Sequence, residues 1–592
     1  MSKIKLSDYI AKRLKEHGVE RFFMVSGGGA MHLNDSLGHA ISYTANHHEQ
    51  ACSIAAEGYA RVNQKLAVVN VTTGPGGLNC LNGVFGQWTD SVPVLYISGQ
   101  VKRRTMLTSF PEANLRQLGD QEVDIVSIVK PLTKYSVTVE DPMEIKYHID
   151  RAIYEATTGR FGPVWINVPI DVQASIIEED DLKEFIKPEK AKYDLKIEKF
   201  IEKLQNAKRP LIIAGHGIRL SNQISNFKTL LDNLKIPVVT TFNGMDLLDY
   251  ENPYYVGRIG TIGQRAGNFS LQNADLLICL GTRNNIRQVS YNWENFGKNA
   301  YKIMVDIDET ELEKPLVVPD LKINADLKDF IEILNNANIK TQIEWSDWLD
   351  FCKNLKTKYS YENHPEQEQG EREINPYYLT YTLSKCMGEN DIFVMTNGSA
   401  CVCPFQNAIV KKGQRFILNS GNASMGYGLP AAIGACYDAN DRNVVCLEGD
   451  GSIMMNIQEL QTIVHNKLPL KLFVINNSGY SSIRQTQRNF FDGRMTGCGE
   501  DSGVSVPDFV KVGQAFGLKT KRIENPKTLE EEIKEVLNSN EAVLCEVMTE
   551  KEYAFLPKLS SKKLPDGTMV SPTLEDMFPF LDREEFNKNV IA

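Results

Sequence analysis

Val444–Val445–Cys446–Leu447–Glu448–Gly449–Asp450–Gly451–Ser452 is the stretch that decides how the rest of the chain is read. An apolar run that breaks into Gly-Asp-Gly predicts a buried strand ending in a tight turn. A helix is expected over Asn456–His465, and a second apolar run, Lys471–Ile475, ends in Asn476–Asn477–Ser478–Gly479–Tyr480. The two runs and the helix make one βαβ crossover, so both strand ends fall on the same carboxyl edge of a parallel sheet, where α/β proteins bind ligands. The residue types suit a magnesium ion shared with phosphate, because magnesium takes hard oxygen ligands. Asp450 offers a carboxylate, Asn477 a side-chain carbonyl and Gly479 a backbone carbonyl. Gly449 and Gly451 let backbone N–H groups approach a diphosphate beside a helix start, with Ser452 and Tyr480 alongside. Gly-Asp-Gly alone is equally at home in an ordinary turn; the Asn-Asn pair one crossover later makes the pattern specific.

The same alternation runs outward through the chain. Apolar strand candidates recur at Phe22–Val25, Leu66–Val71, Val92–Ser98, Leu211–Ala214, Leu276–Leu280, Ile303–Ile307 and Ile392–Met395. Fully apolar strands separated by helical stretches predict an α/β fold of doubly wound parallel sheets covered on both faces. A length of 592 residues allows three to four domains at roughly 150 residues each. Charge-dense residues 176–195 and polar residues 357–374 read as linkers, giving domains at 1–180, 190–345 and 370–550 and a proline-bearing tail at 551–592. The first and third thirds share a βα rhythm.

A net charge of −10, from 65 basic and 75 acidic residues, argues against a nucleic-acid surface. No run approaches the ~20 apolar residues of a membrane span. The N-terminal segment reads as an amphipathic helix capped by Ser7, with Ile10 and Leu14 on one face and Gly18 ending it, not as a secretion signal. The 11 cysteines are scattered without zinc spacing, which fits small buried hydrophobes in the cytoplasm.

Near the N-terminus, His48–Glu49–Gln50–Ala51 opens a helix that continues through Ala55–Ala56–Glu57–Gly58–Tyr59–Ala60–Arg61. By itself Glu49 is a carboxylate favoured by a helix dipole, and Glu57 a partner for Arg61 at i+4. Val71–Thr72–Thr73–Gly74–Pro75–Gly76–Gly77–Leu78–Asn79 is a strand end, tight turn and helix start, and Ser26–Gly27–Gly28–Gly29 is a third glycine loop on that edge.

Together these segments resemble the thiamine-diphosphate enzymes, in particular the acetolactate synthase branch. The HEQ-x-A-x-x-A-A-E-G-Y-A-R segment, the T-x-G-P-G-x-x-N loop and the Gly-Asp-Gly/Asn-Asn pair all have counterparts there, and the resemblance spans about residues 4–550. It implies three α/β domains (pyrimidine-binding, central and diphosphate-binding) and thiamine diphosphate with Mg2+, the metal held by Asp450, Asn477 and Gly479. It implies that Glu49 hydrogen-bonds the aminopyrimidine and starts removal of the thiazolium proton. Gly28, Gly29, Thr73, Pro75, Gly76, Asn79, Gly398, Ser399 and Met425 become candidate cofactor contacts, and Gln121 a substrate-side donor. It also implies a homodimer at least, Glu49 of one subunit facing the Asp450 site of its neighbour. FAD is a candidate third cofactor in the central domain, near Ala214–Gly217 and Asp306–Asp308.

The departures lie in the walls of the site. The family's R-Q-W-Q is Arg484–Gln485–Thr486–Gln487, its Phe-Gln-Glu is Asp120–Gln121–Glu122, its G-M-H-G is Gly260–Thr261–Ile262–Gly263, and Arg287 stands at its substrate-channel arginine. The expected activity is a decarboxylating carboligase, with a 2-oxo acid such as pyruvate as donor and a 2-oxo acid or a keto-sugar as acceptor. The rival readings are a decarboxylase, oxidase or C–C hydrolase, and an inactive scaffold subunit. The tail is read as an arm or a lid.

Overall fold

The computed structural model describes residues 3–337, 339, 344–364, 369–563, 566 and 568–591. Three six-stranded parallel sheets follow one another along the chain. The first runs Ser42–Ala45, Arg21–Met24, Ala67–Val71, Val94–Gln100, Val164–Pro169, Tyr135–Thr138 from edge to edge. The third runs Arg415–Ile417, Ile392–Met395, Val444–Gly449, Lys471–Asn476, Val543–Met548, Lys519–Ile523. Both share one winding: the second strand in chain order lies outside the first, and the fifth outside the sixth. The shared βα rhythm of the two thirds is thus a shared topology.

The central sheet is wound differently, as Tyr255–Arg258, Val238–Thr240, Pro210–Ala214, Leu276–Leu280, Tyr301–Asp306, Leu321–Asn324. Its strand order reverses at Pro210–Ala214, so a crevice opens at the carboxyl ends of that strand and Leu276–Leu280. Helices cover both faces. Ile212 and Ala214 point into one hydrophobic cluster, Leu211 and Ile213 into another. That two-sided burial is why these strands are apolar without alternation.

The N-terminal helix spans Leu6–Glu16 with Ile10 and Leu14 buried, and Gly18 (φ 79°) follows it. Ser7 is not its cap: it lies inside the first turn, where its hydroxyl accepts from Ser36 Oγ at 2.8 Å. Leu6, the first helical residue, is buried.

One helix crossing locks the first sheet to the third, and one buried ion cluster locks the central domain to the third. Helix Glu49–Asn63 crosses helix Gly428–Cys436 at glycine distance. A Cβ on Gly58 would lie 2.0 Å from the Ala431 carbonyl oxygen, and one on Gly434 1.8 Å from that of Ala55. At the far end of the crossing, Asp246 of the central domain sits between Arg415 (2.7 Å) and Arg219 (2.9 Å) in full burial. Burial alone would raise the Asp246 carboxyl; the two guanidinium groups outweigh it and hold it well below the usual carboxylate range.

Residues 182–196 form no helix or strand. The expected linker at 357–374 contains the end of helix Ser346–Lys358, and its residues 365–368 lie outside the described set. The tail is an arm on its own chain's central domain. Leu574 joins the central core, and Arg265 and Asn268 donate to the carbonyls of Pro579 and Leu574 at 2.7 and 3.0 Å. Among the described residues no helix is long and apolar enough to cross a membrane. All 11 cysteines are free, and most are buried.

Candidate active site

Asp450 ends strand Val444–Gly449 and opens a short helix, beside the parallel strand Lys471–Asn476. Its Oδ2 accepts from the backbone N–H of Asn477 (3.0 Å) and Gly479 (2.9 Å), and its Oδ1 from Gly451 N–H (2.6 Å). The carboxylate therefore knits two strand ends into one rigid loop pair. Burial pushes it up to about 6, against the pull of these N–H groups and of Arg484. A buried acid of that kind is what a cation neutralises.

The Asn477–Gly479 loop is held from behind. Arg484 donates to the carbonyls of Asn477 (2.7 Å), Ser478 (3.1 Å) and Cys498 (3.2 Å). Its Nη2 also lies 3.4 Å from Asn477 Oδ1. Gly479 has φ 122°, and a Cβ there would meet the Cys498 carbonyl at 2.6 Å. The Tyr480 ring packs on Gly451, and Ser452 Oγ accepts from Gly426 N–H at 2.8 Å, tying in the Met425 turn. Gly398 turns at φ 52° into helix Ser399–Asn407, and Ser399 Oγ lies 3.4 Å from Ser481 Oγ. Among the described residues no group of three or more His, Cys, Asp or Glu is placed to hold a metal. One carboxylate with amide and backbone oxygens is a magnesium donor set when phosphate supplies the rest.

The second cluster lies on the first sheet. His48 caps helix Glu49–Asn63, and Glu49 Oε2 accepts from Asn79 Nδ2 at 2.9 Å. A Cβ on Gly76 would lie 3.7 Å from Glu49 Oε1. Gly74 (φ 61°) is pressed against the Gln121 carbonyl, 1.8 Å from where its Cβ would sit. Gly29 N–H donates to Thr72 Oγ1 at 3.1 Å, and Thr73 Oγ1 donates to Gln100 Oε1 at 2.6 Å. Glu49, Gln121, the Gly28–Gly29 loop and the Thr72–Asn79 loop thus meet at one sheet edge. Two residues past the Asp450 turn join the clusters. Asn456 Nδ2 donates to Gly426 O (2.7 Å) and Gln50 Oε1 (3.3 Å). Glu459 accepts from His47 N–H and Asn46 Nδ2, both at 2.9 Å.

Comparison with known proteins shows the family. Residues 4–128 match the description "Thiamine pyrophosphate enzyme, N-terminal TPP binding domain", residues 197–334 the central domain and residues 397–547 the C-terminal TPP binding domain of the same enzymes. The chain is 33% identical to the acetolactate synthase large subunit of Lactococcus lactis over 94% of its own length and 96% of the relative's. It is 29% identical to the acetolactate synthase isozyme 2 large subunit of Escherichia coli, covering 96% and 99%. The chain belongs to the thiamine pyrophosphate enzyme family. It is an enzyme of the acetolactate synthase type.

A separate cavity lies in the central crevice. It has a volume of about 380 Å³ and is lined by Arg160, His216, Asn243, Arg283 and Asp306, among others. Among the described residues, His216 Nδ1 and Asn243 Oδ1 are buried there without a hydrogen-bond partner. Burial, with nearby arginines, holds His216 well below the ordinary imidazole value, so it is neutral; burial pushes Asp306 up to about 6. Arg160 bridges Asp308 and Glu311 at 2.8 Å each. The Gly260–Gly263 segment serves the tail instead, Thr261 O accepting from Leu559 N–H at 2.7 Å.

The departures from the family also have places. Glu122 is a loop organiser: it accepts from the backbone N–H groups of Leu107, Leu118 and Gly119. Thr486 is exposed on helix Ser481–Phe490, and the Arg287 guanidinium lies 5.0 Å over the Phe242 ring. Asn456, Glu459 and Tyr553 escaped the sequence reading. They sit outside any motif, and only the crossing of distant segments gives them partners.

Proposed function

We propose that this chain is a thiamine-diphosphate- and Mg2+-dependent carboligase that decarboxylates a 2-oxo acid, pyruvate, and joins the two-carbon remainder to a second carbonyl. The relatives named acetolactate synthase support the reaction type. The observation that carries the reading is the Glu49–Asn79–Gly76 cradle on one sheet edge together with the buried Asp450 knitted to Asn477 and Gly479 on another.

When bound, the cofactor supplies a carbon nucleophile and an electron sink for loss of CO2. The chain's own residues do the rest. Asp450, the Asn477 side chain and the Gly479 carbonyl hold the metal; Gly398, Ser399, Gly449, Gly451 and Ser452 receive the diphosphate. Met425 and Tyr480 would contact the cofactor, and Gly28, Gly29, Thr73, Pro75 and Gly76 would hold its pyrimidine. Glu49 exchanges a proton with the pyrimidine ring, oriented by Asn79. Gln121 lies on the loop that presses on Gly74 and serves as the substrate-side donor.

In a single chain Leu78, Phe85, Trp88, Met454 and Met455 stay exposed around these clusters. Large apolar side chains flanking a site fit burial against a second copy, so the working unit is a homodimer or larger with shared sites. The unpartnered His216 and Asn243 atoms at the central crevice fit a polar nucleotide ligand, and FAD is the one proposed. The domains are assigned as 1–180, 190–345 and 370–550, and the compartment as the cytoplasm. The exposed Thr486 widens the acceptor side, which fits a 2-oxo acid or a bulkier keto-sugar.

Mixing the purified protein with thiamine diphosphate, Mg2+ and labelled pyruvate, with a panel of carbonyl acceptors, tests this. Label should leave as CO2 and enter an acetoin-type or larger ketol product. CO2 release with free aldehyde as the only product would make it a decarboxylase, and no release would end the reading. Flavin absorbance in the extract tests FAD.

A further inference from the structure

Beyond the last strand of the third sheet the chain turns back across the diphosphate edge. Thr549 N–H donates to Asn476 O at 2.9 Å. Arg484, which holds the Asn477 loop, also donates to Lys551 O at 3.1 Å. Gln485 Nε2 reaches Tyr553 O at 3.3 Å, and Lys558 Nζ reaches Gln485 Oε1 at 3.1 Å. The hydroxyl of Tyr377 accepts from Leu556 N–H at 3.0 Å, and Gln406 Nε2 donates to Pro557 O at 2.6 Å. The segment is therefore fastened to helices Ser481–Phe490 and Ser399–Asn407, the two that leave the candidate cofactor loops.

Those bonds place one side chain. The Tyr553 hydroxyl lies between Ser399 Oγ and Ser481 Oγ, 2.9 Å from the latter. Three hydroxyls thus share one point, and two of them belong to the first residues of helices nine and ten residues long. The opening N–H groups of a helix have no partner within it and carry its positive end. Gly398 closes the same point, with Ser482 Oγ 4.0 Å from where its Cβ would stand. Among the described residues, three neutral donors crowded where two helix starts converge have no acceptor but each other; an anion's oxygens would receive all three. Burial keeps the Tyr553 phenol protonated, and therefore a donor, far beyond neutral pH.

We propose that Tyr553 is a phosphate-binding residue, its hydroxyl joining those of Ser399 and Ser481 on the terminal phosphate of thiamine diphosphate. This rests on the assignment of the diphosphate to the Gly398 and Asp450 loops. Tail and cofactor site are then one unit: the segment that fastens the central domain to the third also reads whether the second phosphate is present.

Thiamine diphosphate and thiamine monophosphate discriminate the role. The full-length protein with Mg2+ is titrated with each by calorimetry, as wild type and as Tyr553→Phe. The variant should bind the diphosphate about tenfold or more weakly, the scale of a lost hydrogen bond to a charged group, and the monophosphate within about twofold of wild type. Ser481→Ala removes a neighbouring donor from a different element and should show the same selective loss, which covers a Tyr553 variant that folds poorly. Unchanged or tighter diphosphate binding by a folded variant overturns the proposal, tighter binding meaning that the phenol fills the phosphate's place. Equal loss for both ligands overturns it as well and leaves Tyr553 a packing residue. If the wild type binds neither compound, the diphosphate assignment itself falls and the proposal with it.

Discussion

Glu459→Gln isolates the intrachain link between the Glu49 helix and the segment that follows the Asp450 turn. Glu459 is wholly buried. Its Oε1 accepts from His47 N–H at 2.9 Å, and its Oε2 from Asn46 Nδ2 at 2.9 Å and Thr462 Oγ1 at 2.7 Å. All three partners are donors, so the site is built for an acceptor with two oxygens. Glutamine keeps the shape and one oxygen. Turned to satisfy Asn46 and Thr462, it points its amide N–H at the His47 N–H and leaves two donors facing each other. The loss is one charge-assisted bond plus an unsatisfied buried N–H, together about 3 kcal/mol. A concerted shift of residues 46–48 relieves it, and Glu49 follows directly in the chain. Displacement of a reacting group by ~1 Å costs about a hundredfold in rate. The variant should melt several degrees lower in a thermal scan, bind thiamine diphosphate and Mg2+ like the wild type, and turn over pyruvate about 10- to 100-fold more slowly. Glu459→Asp, which restores two acceptor oxygens, should recover part of the rate. Full turnover in Glu459→Gln with a lowered melting temperature would refute the reasoning, because the bond would then serve stability without placing Glu49.

Glu49→Gln keeps the bond from Asn79 but cannot exchange a proton; turnover should fall by at least about a hundredfold with cofactor affinity retained by calorimetry. Asp246→Ala leaves Arg415 and Arg219 buried beside no counter-charge, and should destabilise the protein by about 3–5 kcal/mol, read as a lowered melting temperature. Glu57 shares Arg61 with Asp90, so one cation serves two acids; burial pushes Glu57 up to about 7. A carboxyl raised in the folded state contributes stability below its ordinary value and loses it as pH climbs through 7. Glu57→Gln should therefore gain on the wild type between pH 5 and pH 8, by up to about 3 kcal/mol, and a melting-temperature difference that stays flat over that range would contradict it.

The nine apolar runs read from the sequence are all strands, with ends shifted by no more than two residues: Val92–Ser98 was expected where Val94–Gln100 forms. Of the six edge strands, only the short strand ahead of His47 was expected from the sequence. Ser42–Ala45, Tyr135–Thr138, Tyr255–Arg258, Leu321–Asn324, Arg415–Ile417 and Lys519–Ile523 are short and carry polar residues. An edge strand pairs on one side only and need not be a continuous apolar run. Three inner strands were also missed. Val164–Pro169 and Val543–Met548 contain Asn167 and Glu546, which read as breaks but are buried and paired with Ser98 and Arg522. Val238–Thr240 is only three residues long.

The site divides along the same line. Glu49, Asp450, Asn477 and the glycine turns stand out because each lies in a short motif at a strand end, where spacing alone fixes geometry. Glu459, Asn456 and Tyr553 act on those motifs from elsewhere: Glu459 is 412 positions from His47, and Tyr553 is 154 from Ser399. Local pattern cannot reveal such partners, since a buried glutamate between helical turns looks like any solvated one until its donors arrive from another domain. The consequence is physical. Motif residues supply the chemistry, while their precision comes from side chains that only the packed domains bring near. The Gly58 and Gly434 crossing is what brings them: it sets helix Glu49–Asn63 against the helix that starts at the Met425 turn, within contact distance of a single methyl group. A methyl added at Gly58 would therefore misplace the Glu49 turn relative to Asn456 and Glu459 while touching none of the reacting residues.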